Sequence, residues 1–349
     1  MARSLTIALI LATPGSGWGG MEKHTAELAA ALATRGHRVH VLAHPDYRHR
    51  FSLSVSMHSL PMHLGRRNPW LRFLLGRALR AIQPDIAHAQ GNKAASLLGA
   101  TRTHADSTVG TVHGSKSSHK AFNRLDGVIA VSGEILAALP HGNKRLIYNG
   151  LDVSVGCDTA AQTIVPIPRT GPMLLAAGRL EPVKQYDRLI QAWVDARVPG
   201  SLVILGEGSE RRTLVERVQA LGMESRILLP GYEPCIAPWL SAAAACVISS
   251  EREGFPYILV ESLLARCPVI STPVSGANEF LPTDHIATST TTAALSRLIS
   301  QHLGAPHLLA EHQAATFEHA ARVLTLETMV TETERFYQQL LPACPPVRQ

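Results

Sequence analysis

The chain alternates strand-like and helix-like segments in two successive runs, separated by an aperiodic stretch. Short apolar runs rich in Val, Ile and Leu lead into segments with apolar residues at helical spacing, which predicts parallel sheets covered on both faces. In the first run, Leu5–Leu11, His37–Ala43, Ser52–Leu60, Asp85–Ala89, Thr108–His113 and Gly127–Val131 read as strands. Met21–Arg35, closed by Gly36, and Pro69–Gln83 read as helices, and another begins at Gly133. Leu151–Pro172, rich in Thr, Pro and small residues, has no period and reads as a linker. The second run has strands at Met173–Ala177, Ser201–Gly206, Arg226–Leu229 and Val269–Ser271. Helices are expected at Tyr186–Ala196, Glu210–Leu221 and Pro238–Ala245, and Thr325–Leu341 forms a last one.

A length of 349 residues with 46% hydrophobic content supports two cores. The expected domains are 1–155 and 156–325, with 326–349 as a helix returning toward the first. Two such sheets would face each other across a cleft at the carboxyl ends of their strands, where ligands of doubly wound folds bind. Five cysteines without Cys-x-x-Cys spacing argue for reduced thiols in a cytoplasmic protein. Leu5–Ala12 is too short for a secretory core and reads as a buried first strand, and no apolar stretch approaches 18 residues. Charge divides unevenly. Residues 1–150 hold 18 Lys+Arg against 7 Asp+Glu, or +11, and residues 151–349 hold 15 against 20, or −5. The basic half is expected to face something anionic.

Ahead of the run Ser250–Leu264, a strand-like Cys-Val-Ile-Ser feeds a loop with Glu253, then a helix with Glu261. Pro256 is expected at the first helical position, where its missing N–H is no loss. The loop aims backbone N–H groups and a helix dipole at one spot, which suits a phosphate, and the two carboxylates can accept from hydroxyls. That combination describes a nucleotide-sugar pocket. Arg179 and Lys184, in the loop Gly178-Arg-Leu-Glu-Pro-Val-Lys184, can fork and neutralise a diphosphate. A solvated loop with two surface cations is the alternative.

Gly15-Ser-Gly-Trp-Gly-Gly20 formally fits the dinucleotide fingerprint and opens a dehydrogenase alternative. Pro14 and Trp18 make that loop longer and bulkier than a tight turn needs, so a glycine-rich loop admitting a ligand is preferred over it and over a plain turn. His113 ends a strand and is expected to point into the cleft, a structural histidine being the alternative; His88 sits similarly. On a helical wheel, Leu71, Leu74, Leu75, Ala78, Leu79 and Ile82 form a core stripe, opposite Arg72, Arg77 and Arg80 with Trp70 and Phe73. That face fits a membrane surface or an anionic glycolipid, or else an ordinary solvated face. No metal-ligand, P-loop or Gly-x-Ser-x-Gly spacing is present.

With these residues in place, the chain resembles the retaining glycosyltransferases of GT-B fold, group 1 type (family 4-like), of bacterial cell-envelope and lipopolysaccharide biosynthesis. The resemblance covers most of the chain. It rests on Gly19-Gly-Met-Glu-Lys-His24, Pro84-Asp-Ile-Ala-His88, Val131-Ser, Tyr148-Asn-Gly-Leu-Asp152, Gly178-Arg-Leu with Lys184, and Leu205-Gly-Glu-Gly208. Gly231-Tyr, Glu253-Gly-Phe-Pro with Glu261, and Pro268-Val-Ile-Ser-Thr complete it. It implies two Rossmann-like α/β domains. It also implies sugar transfer from a nucleotide-diphosphate donor, a UDP-sugar being the first choice, to a glycolipid or oligosaccharide acceptor, with retention. No metal or other cofactor is implied, nucleic acid is not an expected partner, and peripheral contact with the inner face of the cytoplasmic membrane is.

By the same resemblance Arg179 and Lys184 bind the diphosphate and Glu261 the ribose hydroxyls. Glu253 with the Gly254–Phe255–Pro256 backbone takes the donor sugar. Gly231 and Tyr232 join the donor site, and Gly19, Gly20 and His113 approach it from the other domain. Glu253, Arg179, Lys184 and His113 are the expected catalytic set. Gln185 stands where a glycine is usual, and Arg266 where a small residue is. A sugar-nucleotide epimerase or hydrolase, or a non-catalytic binding subunit, is the alternative function.

Overall fold

The computed structural model describes residues 3–15, 17–114, 118–152 and 171–342. The chain forms two compact units, one of residues 1–150 with 326–349 and one of 151–325. In the first, the order is β1 (Thr6–Leu11), α1 (Gly20–Thr34), β2 (Arg38–Ala43), β3 (Ser56–Ser59), α2 (Pro69–Ile82), β4 (Ile86–Gln90) and α3 (Gly91–Leu98). There follow β5 (Ser107–Val112), β6 (Gly127–Ala130), α4 (Gly133–Ala138) and β7 (Lys144–Leu146). The strands form one seven-stranded sheet in the order β3-β2-β1-β4-β5-β6-β7, with every pair parallel. β1, β4, β5 and β6 are buried at every residue, as apolar strands covered on both faces must be. The expected strand Ser52–Leu60 shrinks to Ser56–Ser59, because Ser52–Val55 closes a turn of its own, with the Val55 N–H on the Ser52 carbonyl at 3.1 Å. α3 and β7 were not foreseen.

The second unit repeats the plan: β8 (Met173–Ala177), α5 (Tyr186–Ala196), β9 (Ser201–Leu205), α6 (Arg211–Ala220), β10 (Ile227–Gly231), α7 (Ala237–Ala242), β11 (Ala245–Ile248), α8 (Tyr257–Leu264) and β12 (Val269–Ser271). Then come α9 (Ala277–Phe280), α10 (Thr292–Leu303), α11 (Pro306–His312) and α12 (Ala314–Val323). Its sheet is parallel throughout, in the order β10-β9-β8-β11-β12. Trp193 of α5 and Trp239 of α7 are among its largest buried side chains.

The last helix, α13 (Leu326–Leu340), belongs to the first unit. Phe336 and Tyr337 are buried there. A side chain at Gly127 would come within 2.4 Å of Leu340 and 2.8 Å of Phe336. Arg35 reaches Glu334 and Thr331, and Ser107 Oγ donates to the Leu340 carbonyl at 2.7 Å.

Both sheets reverse strand order once, between β1 and β4 and between β8 and β11. At such a point the connections leave on opposite faces and open a crevice at the carboxyl ends, so the fold itself selects where a ligand can sit. The expected linker falls largely, and Cys157 and Cys344 wholly, outside the described residues. Cys235 is disulfide-bonded, contrary to the expectation of reduced thiols, whereas Cys246 and Cys267 are free and buried.

Gln185 has φ 55° and ψ 39°, which explains why glycine is usual there. Arg266 has φ 56°, just past the end of α8, and it binds Glu318 at 2.7 Å and lies over Phe317. Left-handed backbone costs a side chain about 1–2 kcal/mol, and glycine's extra freedom in the unfolded chain takes back about 0.4–1 kcal/mol. Gln185→Gly should therefore raise stability by about 0.5–1 kcal/mol in denaturant titrations. Arg266→Gly, which forfeits its two partners, should gain less. A destabilised Gln185→Gly protein would refute the strain argument.

Candidate functional site

Two loops meet at the β8–β11 reversal. The one after β8 carries Gly178, Arg179 and Lys184, and the one after β11 carries Ser249 to Pro256. They are stitched together twice by hydrogen bonds: Glu251 N–H donates to the Val183 carbonyl at 2.9 Å, and Ser249 Oγ to the Lys184 carbonyl at 2.8 Å. Lys184 Nζ donates to Glu253 Oε1 at 2.5 Å, and Ser250 Oγ donates to the same oxygen at 2.6 Å. Lys184 and Glu253 are each more than four-fifths buried. An ion pair so far out of water draws much of its value from geometry, and removing one partner strands the other.

Glycines let the loops approach. Gly178 has φ 155°, and a side chain there would meet the buried Tyr186 hydroxyl at 2.9 Å and Lys184 Cε at 3.4 Å. Burial, with Glu253 nearby, pushes the Tyr186 phenol up, so it stays protonated. At Gly206, φ is 137° and a Cβ would collide with the Gly178 carbonyl at 1.9 Å. Gly231, with φ 108°, ends β10, and its Cβ would sit 3.0 Å from Glu207 Oε1. Tyr232 beside it is exposed.

Arg179 is exposed and makes no side-chain hydrogen bond or ion pair among the described residues. Glu261 lies half-buried on α8. Pro256 is the N-cap of α8, one residue earlier than expected, because its ψ of 131° is extended. Proline offers no side-chain acceptor to that helix start, so the positive end of the dipole is left without a side-chain cap. Phe255 is buried against Phe280, ring centroids 5.6 Å apart, and a Cβ on Gly276 would strike its ring at 2.7 Å. Its role is therefore to anchor the loop, while its backbone and that of buried Gly254 remain at the helix start.

The residues assigned to the other domain gather in the first unit. Gly19 is the N-cap of α1, Gly20 its first residue, and Glu22 accepts from the Gly19 N–H at 3.0 Å. Trp18 packs edge-on against Tyr47 and Phe51, and Tyr47 Oη donates to the Gly17 carbonyl at 2.8 Å. That bulky wedge replaces the tight turn of a dinucleotide fingerprint. His113, half-buried at the end of β5, has Nε2 2.7 Å from Gln90 Oε1 and its ring 4.7 Å from that of His24. His88 is fully buried between Tyr337 Oη at 2.6 Å and Thr111 Oγ1 at 2.7 Å. Gln90, Thr111 and Tyr337 were missed from the sequence, and His24 entered only as the end of the motif that begins at Gly19. The alternation His88-x-Gln90 beside Thr111-x-His113 was the available signal, since residues two apart share a sheet face.

On α2, Leu71, Leu75 and Leu79 are fully buried, and Leu74, Ala78 and Ile82 are half-buried. Trp70 and Phe73 are exposed and stacked at 5.5 Å, with Arg77 and Arg80 exposed near them. Arg72 is half-buried and donates to the Arg66 carbonyl at 3.3 Å.

A cluster not foreseen is Asp284, His285 and His312, whose ligand atoms lie within 4.8 Å of one another. Gln313 decides its chemistry. Its Oε1 accepts from the Val269 N–H and its amide nitrogen donates to the Val269 carbonyl, so that nitrogen also donates to His285 Nδ1 at 2.9 Å. Neutral His285 must then carry its proton on Nε2, the atom a metal would need bare.

Comparison with known proteins gives the family and the fold. Residues 18–155 match the family described as Glycosyltransferase Family 4, and residues 159–316 the family described as Glycosyl transferases group 1. The chain belongs to these glycosyltransferases, and its fold is GT-B. It is 29% identical over 141 residues to an N-acetylgalactosamine-N,N'-diacetylbacillosaminyl-diphospho-undecaprenol 4-alpha-N-acetylgalactosaminyltransferase of Campylobacter jejuni, covering 40% of this chain and 38% of that one. It is 33% identical over 115 residues to the lipopolysaccharide core biosynthesis glycosyltransferase LpsE of Rhizobium meliloti, covering 33% of each. The chain thus matches well under half the length of these relatives. Anabaena HepE, solved in complex with UDP-glucose, superposes with a TM-score of 0.78 at 18% identity, over 96% of this chain and all of that one.

Burial holds His24 down to about 4 and His88 to about 3, and keeps His113 well below its usual value. All three fold as neutral rings. The unfolded chain takes up protons below pH about 6.5 while the folded one does not, so stability present above that pH is lost as pH falls toward 4 and 3. Each of His24 and His88 contributes about 1.4 kcal/mol per pH unit in that window. With His113 in the same sense, denaturant titrations at pH 7.5 and 5.5 should show a loss of about 4 kcal/mol, reduced in His24→Gln and His88→Gln. Equal losses in wild type and variants would refute the assignment.

Proposed function

We propose that this protein transfers a sugar from a nucleotide-diphosphate donor, of the UDP-sugar class, to a lipopolysaccharide or other surface-glycan acceptor, with retention at the anomeric carbon and without a metal. The observation that carries the reading is the Lys184–Glu253 pair beside Arg179 and the uncapped start of α8, all at the strand-order reversal of one sheet. An anionic diphosphate there competes for Lys184, frees a Glu253 oxygen for a sugar hydroxyl and meets Arg179 and the helix dipole. Glu261, one turn further along α8, is the acceptor for ribose hydroxyls, and Gly231 and Tyr232 border the same site. The relatives are named for sugar transfer to lipid-linked and lipopolysaccharide acceptors, and HepE holds UDP-glucose.

The bond from the anomeric carbon to the diphosphate oxygen breaks, and the acceptor hydroxyl adds on the same face. Its proton passes to the departing phosphate. Charge stabilisation of that leaving group by Arg179, Lys184 and the α8 dipole supplies the rate. Removing one such contact costs about 10²–10³ in kcat. Arg179→Ala and Lys184→Ala should each fall by that factor in a nucleotide-release assay, on the donor that best stabilises the protein among UDP-, GDP- and ADP-sugars. Near-normal turnover in the folded double variant would sink the assignment. Initial rates after exhaustive chelation should match those with added magnesium or manganese; a strict requirement would overturn the metal-free reading.

For the first unit, the stacked Trp70–Phe73 pair with Arg77 and Arg80 supports docking on an anionic membrane face at the site of the acceptor. Each basic residue near such a surface is worth about 1 kcal/mol and is screened by salt. Binding to anionic vesicles should fall steeply with salt and in an Arg72, Arg77, Arg80 triple-alanine variant, with donor binding intact. Salt-independent binding, or none at low salt, would return this helix to an ordinary solvated face.

A further inference from the structure

Buried polar side chains form a connected row on one face of the first sheet. His88 and Gln90 of β4 share that face with Thr111 and the strand-end His113 on the neighbouring β5, where Gln90 pairs in register with Thr111. α13 lends Tyr337, and His24 of α1 stacks edge-on against His113. Gln90 is 1% exposed and spans the row, 2.7 Å from His113 Nε2 at one end of its amide and 3.4 Å from His88 Nε2 at the other. A buried carboxamide with nothing to do would be costly to keep, so its two ends call for an account.

The placement of the Gln90 amide gives the row its sense. The amide nitrogen is turned to His88 Nε2, which also lies 2.7 Å from the Thr111 hydroxyl, and the amide oxygen to His113 Nε2. With the Gln90 nitrogen turned to His88, its oxygen faces His113, and an oxygen can only accept. We infer that Gln90 is a positioning residue for His113: it fixes the proton on Nε2 and presents Nδ1 as a hydrogen-bond acceptor for a hydroxyl of the sugar substrate. This rests on the glycosyltransferase reading above. His113 Nδ1 makes no hydrogen bond among the described residues, and burial keeps the ring neutral, so its lone pair is available.

The test uses the full-length protein labelled with 15N, with imidazole nitrogens read by long-range proton correlation. His113 is assigned by the signal lost in His113→Gln. Wild type should show protonated Nε2 and bare Nδ1. Gln90→Leu should lose that single tautomer and about tenfold in kcat/KM for UDP-glucose, the scale of one hydrogen bond. Gln90→Glu, which keeps an accepting oxygen, should restore both. The Gln90→Leu, His113→Gln double variant should be no slower than His113→Gln alone, because the two act as one unit.

A wild-type proton on Nδ1 overturns the proposal, as does a Gln90→Leu protein with unchanged tautomer and turnover, or additive losses in the double variant. If Gln90→Leu does not fold, the wild-type spectrum decides. If wild type turns over no sugar nucleotide, the proposed reaction fails, while the imidazole spectrum still judges Gln90 by itself.

Discussion

The pairing of β8 with β11 is the constraint on which the candidate donor site depends. Some seventy residues separate these strands in sequence, yet Ala245 and Cys246 lie in parallel register with Leu174 and Leu175. That pairing sets the two loops side by side, and only then can Lys184 reach Glu253. The backbone bond from Glu251 to Val183 and the Ser249 bond to the Lys184 carbonyl lock the loops in that relation. A buried ion pair is poor evidence of stability in itself, since desolvation offsets most of its attraction. Its value here is directional. It holds an ammonium and a carboxylate ready beside an uncapped helix start, where an incoming anion can reorganise them.

Close backbone approach is the second requirement, and glycine meets it at few places. Gly178, Gly206 and Gly231 lie at the ends of neighbouring β8, β9 and β10, each with a φ that resists a side chain. Gly206 leaves no room for a methyl group against the Gly178 carbonyl. The loops at the carboxyl edge can therefore stack closely while their polar groups stay oriented. Phe255 acts in the same sense from below, tying the glutamate loop to Phe280. The first unit solves a related problem differently, with histidines, a glutamine and hydroxyls buried in one bonded row that α13 completes through Tyr337.

Much of the fold was legible because buried parallel strands leave a simple trace, a short apolar run followed by a helical period. The strand ends and most helices came from that trace, and so did the placement of Arg179, Lys184 and Glu253 in loops after strands and of Glu261 on the helix that follows. Ser52–Leu60 misled because its alternation persists through Ser52–Val55, where a turn takes the place of strand pairing. Pro256 was read one position late because proline suits both N-cap and first helical turn, and only ψ separates them. The alternation of His88 with Gln90 and of Thr111 with His113 put these residues on one face of their strands, but nothing local marked that they meet each other or Tyr337 of the last helix. The same holds for Gln313 and His285, where one amide bonded to Val269 settles which ring nitrogen holds the proton.

The sequence by itself determined the two-domain α/β plan, the family, and the chemical types gathered after each strand, because these follow from local period and motif order. The tertiary structure decided which of them meet. Strand order brought Lys184 onto Glu253, the left-handed backbone showed why Gln185 is strained where glycine is usual, and the sheet register joined Gln90 to His113. Local periodicity records which face of an element is buried. It does not record which distant element covers that face, and the chemistry of a site is set by that second fact.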